Sequence, residues 1–117
     1  MIIATRIYTV NAENRDRAIV EMIKVSAASR RVPGITKHSF YADLSDSTAI
    51  RFYGEFESIE VFKRQRTSQH EVAFKKAMAA MGVTASPGTL STYTPLTEYT
   101  VSEDILTITQ GESNEQR

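Results

Sequence analysis

Apolar positions along this chain switch between two periods, and the switches mark its elements. Met1 to Val10 (MIIATRIYTV) is dense in β-branched residues and reads as a strand. From about Ala12 to Arg31 the apolar residues Ala18, Ile19, Met22, Ile23 and Ala27 fall at helical spacing, with Asn11 placed to cap and Glu13 in the first turn. Val32-Pro33-Gly34 ends that helix, because proline disfavours a helical residue before it and glycine permits the turn. Ile35 to Asp43 and Ser47 to Glu57 then read as a strand pair joined by the turn residues Leu44-Ser45-Asp46. Alternation puts Thr36, His38, Phe40 and Ala42 on one face of the first strand, and Ile50, Phe52, Gly54 and Phe56 on one face of the second. These Phe-bearing faces should pack on the helices. Ser58 caps a short helix holding Ile59 and Phe62. After Ser68 a further helix carries His70, Ala73, Phe74, Ala77, Met78 and Met81 on one stripe, ended by Gly82. Gly88 to Tyr99 reads as the last strand.

The resulting order, β-α-β-β-α-β, is that of a ferredoxin-like α+β sandwich. Its core domain spans 1–97; residues 98–117 form an extension, polar from Gln110 onward, that reads as partly disordered or as an arm on a partner. An antiparallel sheet with helices on one face leaves the other face uncovered. The opposite sides of the strand pair carry Lys37, Tyr41, Arg51, Tyr53 and Glu55, too aromatic for open solvent, so a homodimer through this face is expected.

Bulk composition removes several function classes. Fourteen basic and fourteen acidic residues cancel, leaving no global field for nucleic acid or an anionic membrane. With no cysteine there is no disulfide, thiolate metal site or cysteine nucleophile, which fits a reducing cytoplasm. No leader-like segment and no apolar run of membrane-spanning length is read. Nothing resembles a phosphate loop, a dinucleotide fingerprint or a serine triad.

Chemistry concentrates on a few residues. His70 lies in the first turn of its helix, where the positive helix end and an apolar setting both disfavour imidazolium, so it is the candidate general base. A bonded histidine that holds the helix start is the alternative. His38, on the Phe40 face, is either a second pocket histidine or a satisfied core residue. No spacing supports a metal site between the two. Arg51 and Tyr53 share a face and form either an oxygen-binding wall or a cross-sheet pair at the dimer interface; Arg6 and Tyr8 share one face of the first strand with the same two readings. Phe56 and Phe74 are candidate walls for a flat aromatic ligand, or plain core.

Strand, helix, Val32-Pro33-Gly34, strand pair, Phe56-Glu57-Ser58 and Ser68-x-His70-x-x-x-Phe74 together resemble the antibiotic biosynthesis monooxygenase family over about residues 1 to 97. The resemblance implies a dimeric α+β barrel and cofactor-free oxidation of anthrone-type or quinol-type phenols by dioxygen. It implies His70 as the base that makes an electron-rich phenolate, with Arg51, Tyr53, Phe56, Phe74 and His38 around a small aromatic substrate. Two departures stand out. The family usually carries Trp where Phe56 stands, and this chain has none. The Trp and His of the haem-degrading branch would fall near Gln65 and Lys75, which disfavours haem degradation. The other readings of the same fold are a non-catalytic binding or regulatory dimer, and an isomerase or signal-processing enzyme.

Overall fold

The computed structural model describes residues 1–94. Strand β1 (Ile2–Thr9) leads to helix α1 (Arg15–Ser29), strands β2 (Ile35–Ala42) and β3 (Ala49–Phe56), helices α2 (Ile59–Arg66) and α3 (Gln69–Ala80), and the short strands β4 (Thr84–Ala85) and β5 (Thr89–Thr92). The antiparallel sheet runs β2-β3-β1-β4, with β5 also on β1. This is the ferredoxin-like α+β arrangement read from the sequence. Its fourth strand is broken in two, and the Gly88–Tyr99 strand starts at Thr89 and is described only to Thr92. The domain limit at 97 and the extension 98–117 lie outside the described residues. Among those described, no helix is long and apolar enough to cross a membrane.

Three local differences from the pattern have physical causes. A bulge at Thr36 shifts the register between Ile35 and Lys37, so Ile35 turns back to the core beside Phe56 although plain alternation places it outside. Asn11 caps a turn, its Oδ1 accepting from Asn14 N at 2.8 Å, and α1 starts only at Arg15. The buried stripe of α1 is Ala18, Met22, Val25, Ser26 and Ser29, while Ile23 is 62% exposed. The two serines belong to a buried hydrogen-bond network that a hydrophobicity pattern cannot register.

Two glycines are required by geometry. Gly34 has φ +94, and a Cβ there would stand 2.8 Å from Val61 on α2. At Gly54 a Cβ would meet the Phe52 ring at 2.7 Å and the Phe56 ring at 2.9 Å. Both rings therefore lie over the bare backbone of β3 on its helix side. One core cluster joins Tyr8, Met22, Ile50, Phe74 and Met78. The other joins Ile2, Ala4, Ile35, Phe56 and Val61, and Phe52 packs against both.

Candidate functional site

Two cavities flank the sheet, one on each side. The outer cavity is an open trough of about 740 Å³, lined among others by Ile7, Tyr41, Arg51 and Tyr53, and it shares Thr5, Arg6 and Phe52 with the inner one. Arg51 and Tyr53 in it each have a carboxylate partner. Tyr53 Oη donates to Glu55 Oε2 at 2.7 Å, and burial followed by this bond pushes the phenol up to about 12. Arg51 lies 3.5 Å from Asp43, and Lys37 4.0 Å from Glu55.

The inner cavity is smaller, about 200 Å³, and lies between the sheet and the α2–α3 pair. Alternation along β1 aims Ala4, Arg6 and Tyr8 at the helices, and Ala4 pairs with Gly54 in register, two small residues that leave space. Arg6 stands opposite Phe52. The break between β4 and β5 falls beside it: Ser86 N donates to Ile7 O at 2.8 Å, and Gly88 passes so close that a Cβ would lie 3.6 Å from Arg6 Nε.

The helix side is set by two serine caps. Ser58 Oγ accepts from Val61 N and Ser68 Oγ from Glu71 N, each at 3.3 Å, starting the helices that deliver Phe62 and Arg66, and Glu71 and Lys75, to the cavity. Glu71 occupies the place where a capping-box carboxylate would reach back to Ser68 N. That N–H instead donates to Gln65 O at 3.1 Å, so the Glu71 carboxylate is left for the cavity.

The charges here are unpaired, in contrast to the outer face. Among the described residues neither Arg6 nor Glu71 has an ion-pair partner within 4.0 Å. Arg6 Nε is buried without a hydrogen-bond partner. Burial raises the Glu71 carboxyl against the opposing pull of Lys75, Arg66 and Arg6. Burial and then Glu71 raise the Tyr8 phenol, while Arg6 favours its ionised form.

The histidines are structural members of a polar layer under α1. His38 is 3% exposed, with Nδ1 2.9 Å from Ser26 Oγ and its ring 4.7 Å from that of Phe52. Burial first, then Arg30 and His70, lower its pKa to about 4, so it is neutral. His70 Nε2 lies 3.0 Å from Gln65 Oε1. Gln65 Nε2 reaches Ser29 Oγ at 2.7 Å and Glu71 Oε1 at 3.4 Å. Ser29 donates its own proton to Val25 O, so it can only accept from Gln65. The amide oxygen therefore faces His70, whose Nε2 must carry the proton and donate. His70 lines none of the cavities described and meets the inner one through Gln65 and Glu71.

The sequence-named residues are thus dispersed. Arg51 and Tyr53 line the outer trough, and His70 stands behind Glu71. Phe56, 1% exposed and edge-on to Phe62, is core, as is Phe74 between Tyr8 and Phe40. The pair Arg6 and Tyr8 does reach the inner cavity. Glu71 is a site residue that the sequence reading does not name, although its i, i+4 pairing with Lys75 beside the His70–Phe74 stripe is the available signal. Among the described residues, no group of three metal-ligating side chains is assembled.

The fold is similar to that of a Deinococcus radiodurans protein provisionally named an antibiotic biosynthesis monooxygenase, with a TM-score of 0.78 at 14% identity over 86% of this chain and 100% of that one. It is also similar to SnoaB from Streptomyces nogalater, a cofactor-independent oxygenase, at TM-score 0.71 and 14% identity over 84% and 97% of the two chains. A third structure, an antibiotic biosynthesis monooxygenase, aligns at TM-score 0.70 and 14% identity over 81% and 100%. No family model and no curated protein matches the chain. The likeness read from the motifs thus returns as a likeness of fold.

Proposed function

We propose that the chain is a cofactor-independent monooxygenase acting on a single-ring phenol or quinol held in the inner cavity. The observation that carries this reading is the cavity itself: about 200 Å³ walled by Tyr8, Phe52 and Phe62, with Arg6 and Glu71 unpaired at its polar side. A cavity of about 150 Å³ accommodates a benzene ring, so one ring with its oxygens fits and three fused rings crowd it. This volume favours quinols over the anthrone-type substrates that the family resemblance also allows. The fold shared with SnoaB, a cofactor-independent oxygenase, supports the same chemistry by analogy.

The reaction balances without a cofactor. An ionised phenol passes an electron to dioxygen, and the radical pair recombines at a ring carbon that bears hydrogen, para to the oxygen in a simple phenol and ortho to it in a para-quinol. Loss of water from that peroxide gives the quinone. One oxygen atom enters the ring and the other leaves as water, and the substrate supplies both electrons and both hydrogens. The aromatic walls hold the ring. We also infer that a second copy covers the outer face. It presents Arg51 and Lys37 beside Asp43 and Glu55, both signs on one surface, as a self-complementary contact requires.

Oxygen uptake by metal-free protein given single-ring hydroquinones tests the reading. Substrate-dependent uptake with a hydroxyquinone that carries one atom of the dioxygen as product is expected, with anthrones turned over poorly. No uptake across the quinol panel overturns it and returns the weight to a binding dimer.

A further inference from the structure

We propose that Arg6 and Glu71 are a deprotonating pair: Glu71 takes the proton of the substrate's ring hydroxyl, and Arg6 Nε–H holds the resulting phenolate oxygen. The inference rests on the reading of the inner cavity as a phenol site. In the step the substrate O–H bond breaks, an O–H bond forms on the Glu71 carboxylate, and the electron pair stays on the phenolate oxygen. No oxidant is consumed at this stage.

Five observations converge on the pair. Arg6 Nε is a buried donor without an acceptor among the described residues, and such a donor is costly unless something accepts from it. Glu71 opens on the same cavity, has no ion pair, and is held by one long bond from Gln65 Nε2 at 3.4 Å. The cavity brings Arg6, Arg66 and Lys75 against the single carboxylate, so an added negative charge is welcome there. Arg6 already acts on one phenol: it favours the ionised form of Tyr8 against burial and against Glu71. Burial also raises the Glu71 carboxyl, which makes it a stronger base toward a phenol. No other group lining this cavity competes as the acceptor. Lys75 and Arg66 are cations, burial raises the Tyr8 phenol and so keeps it protonated, and His70 does not line the cavity. His70 and Gln65 are positioning residues behind Glu71.

The test is binding of 4-nitrophenol, whose phenolate is distinguished by its visible absorption, beside the neutral isostere 4-nitroanisole. Wild-type protein should bind 4-nitrophenol with the phenolate spectrum at a pH where the free dye is mostly neutral. Arg6→Gln should lose the spectral shift and bind the phenolate at least about tenfold more weakly, with 4-nitroanisole binding unchanged and Arg6→Lys restoring part of the shift. Equal losses for both probes would mean that the variant merely damages the cavity and would overturn the pair. So would an unchanged Arg6→Gln, or a wild-type protein that binds neither probe. For Glu71→Gln, quinol turnover should fall at least about tenfold below the substrate's own pKa and recover above it. A fall of equal size at every pH removes the base role. Dye binding needs no oxygen, so failure of the pair and failure of the oxygenase reading are separable.

Discussion

The two faces of the sheet hold similar side chains in opposite conditions. On the outer face Arg51, Tyr53 and Lys37 each have a carboxylate partner, across an open trough of about 740 Å³. On the inner face Arg6 and Glu71 look into about 200 Å³ with no ion pair between them. The larger volume is the weaker candidate. Neighbouring carboxylates already pair its Arg51 and Tyr53, whereas a buried donor without an acceptor and a carboxylate without an ion pair leave a ligand something to complete.

That contrast depends on a buried polar layer that keeps the inner face neutral behind the cavity, and its most sensitive member is His38. Its pKa falls from 6.5 in the unfolded chain to about 4 in the fold, so the unfolded chain binds the proton first. The stabilisation is therefore complete above about 6.5 and is lost as the pH drops toward 4. A gap of that size corresponds to about 3 kcal/mol. Urea melts of wild type and His38→Gln between these limits should show a steeper loss in the wild type. Parallel curves would mean that His38 is protonated in the fold and that the layer is not dry.

The next effect is at Gln65, 5% exposed, which joins Ser29, His70 and Glu71. Gln65→Leu removes the donor to Ser29 Oγ and leaves the His70 imidazole N–H without its acceptor, and should cost about 2 kcal/mol. It should also lower quinol turnover, because Glu71 loses its only hydrogen-bond donor from a side chain among the described residues. A loss of stability below about 0.5 kcal/mol would show that the network is ornamental.

How much of this the sequence disclosed follows from what a period can encode. Strand and helix periods, the Pro33-Gly34 stop and the Ser58 and Ser68 caps are local signals, and they yield the element order directly. The break between β4 and β5 falls on Ser86-Pro87-Gly88, which reads as a loop, whereas the bulge at Thr36 depends on the partner strand and leaves no local mark. The inner site was half visible. Arg6 and Tyr8 stood out as polar residues on an otherwise apolar strand face. Glu71 sits as an acid in the first turn of α3, the ordinary place for one, and only the Gln65–Ser68 backbone bond releases it from capping. His70 drew attention by its chemistry, while its hydrogen-bond partner, Gln65, carries no titratable signal at all.

The smallest effect separates the two faces most directly. Arg51 is a mostly exposed partner of Asp43 at 3.5 Å, a pair of the kind worth under about 1 kcal/mol. Arg51→Ala should therefore leave the monomer's intrinsic stability and its quinol turnover nearly unchanged. If a second copy covers the outer face, the substitution acts on association instead. Sedimentation should then show a weaker dimer, and the melting temperature of the wild type should rise with protein concentration more steeply than that of the variant. A turnover loss of tenfold or more with the dimer intact would move the site to the outer trough. The unpaired charges of the inner cavity would then need another explanation.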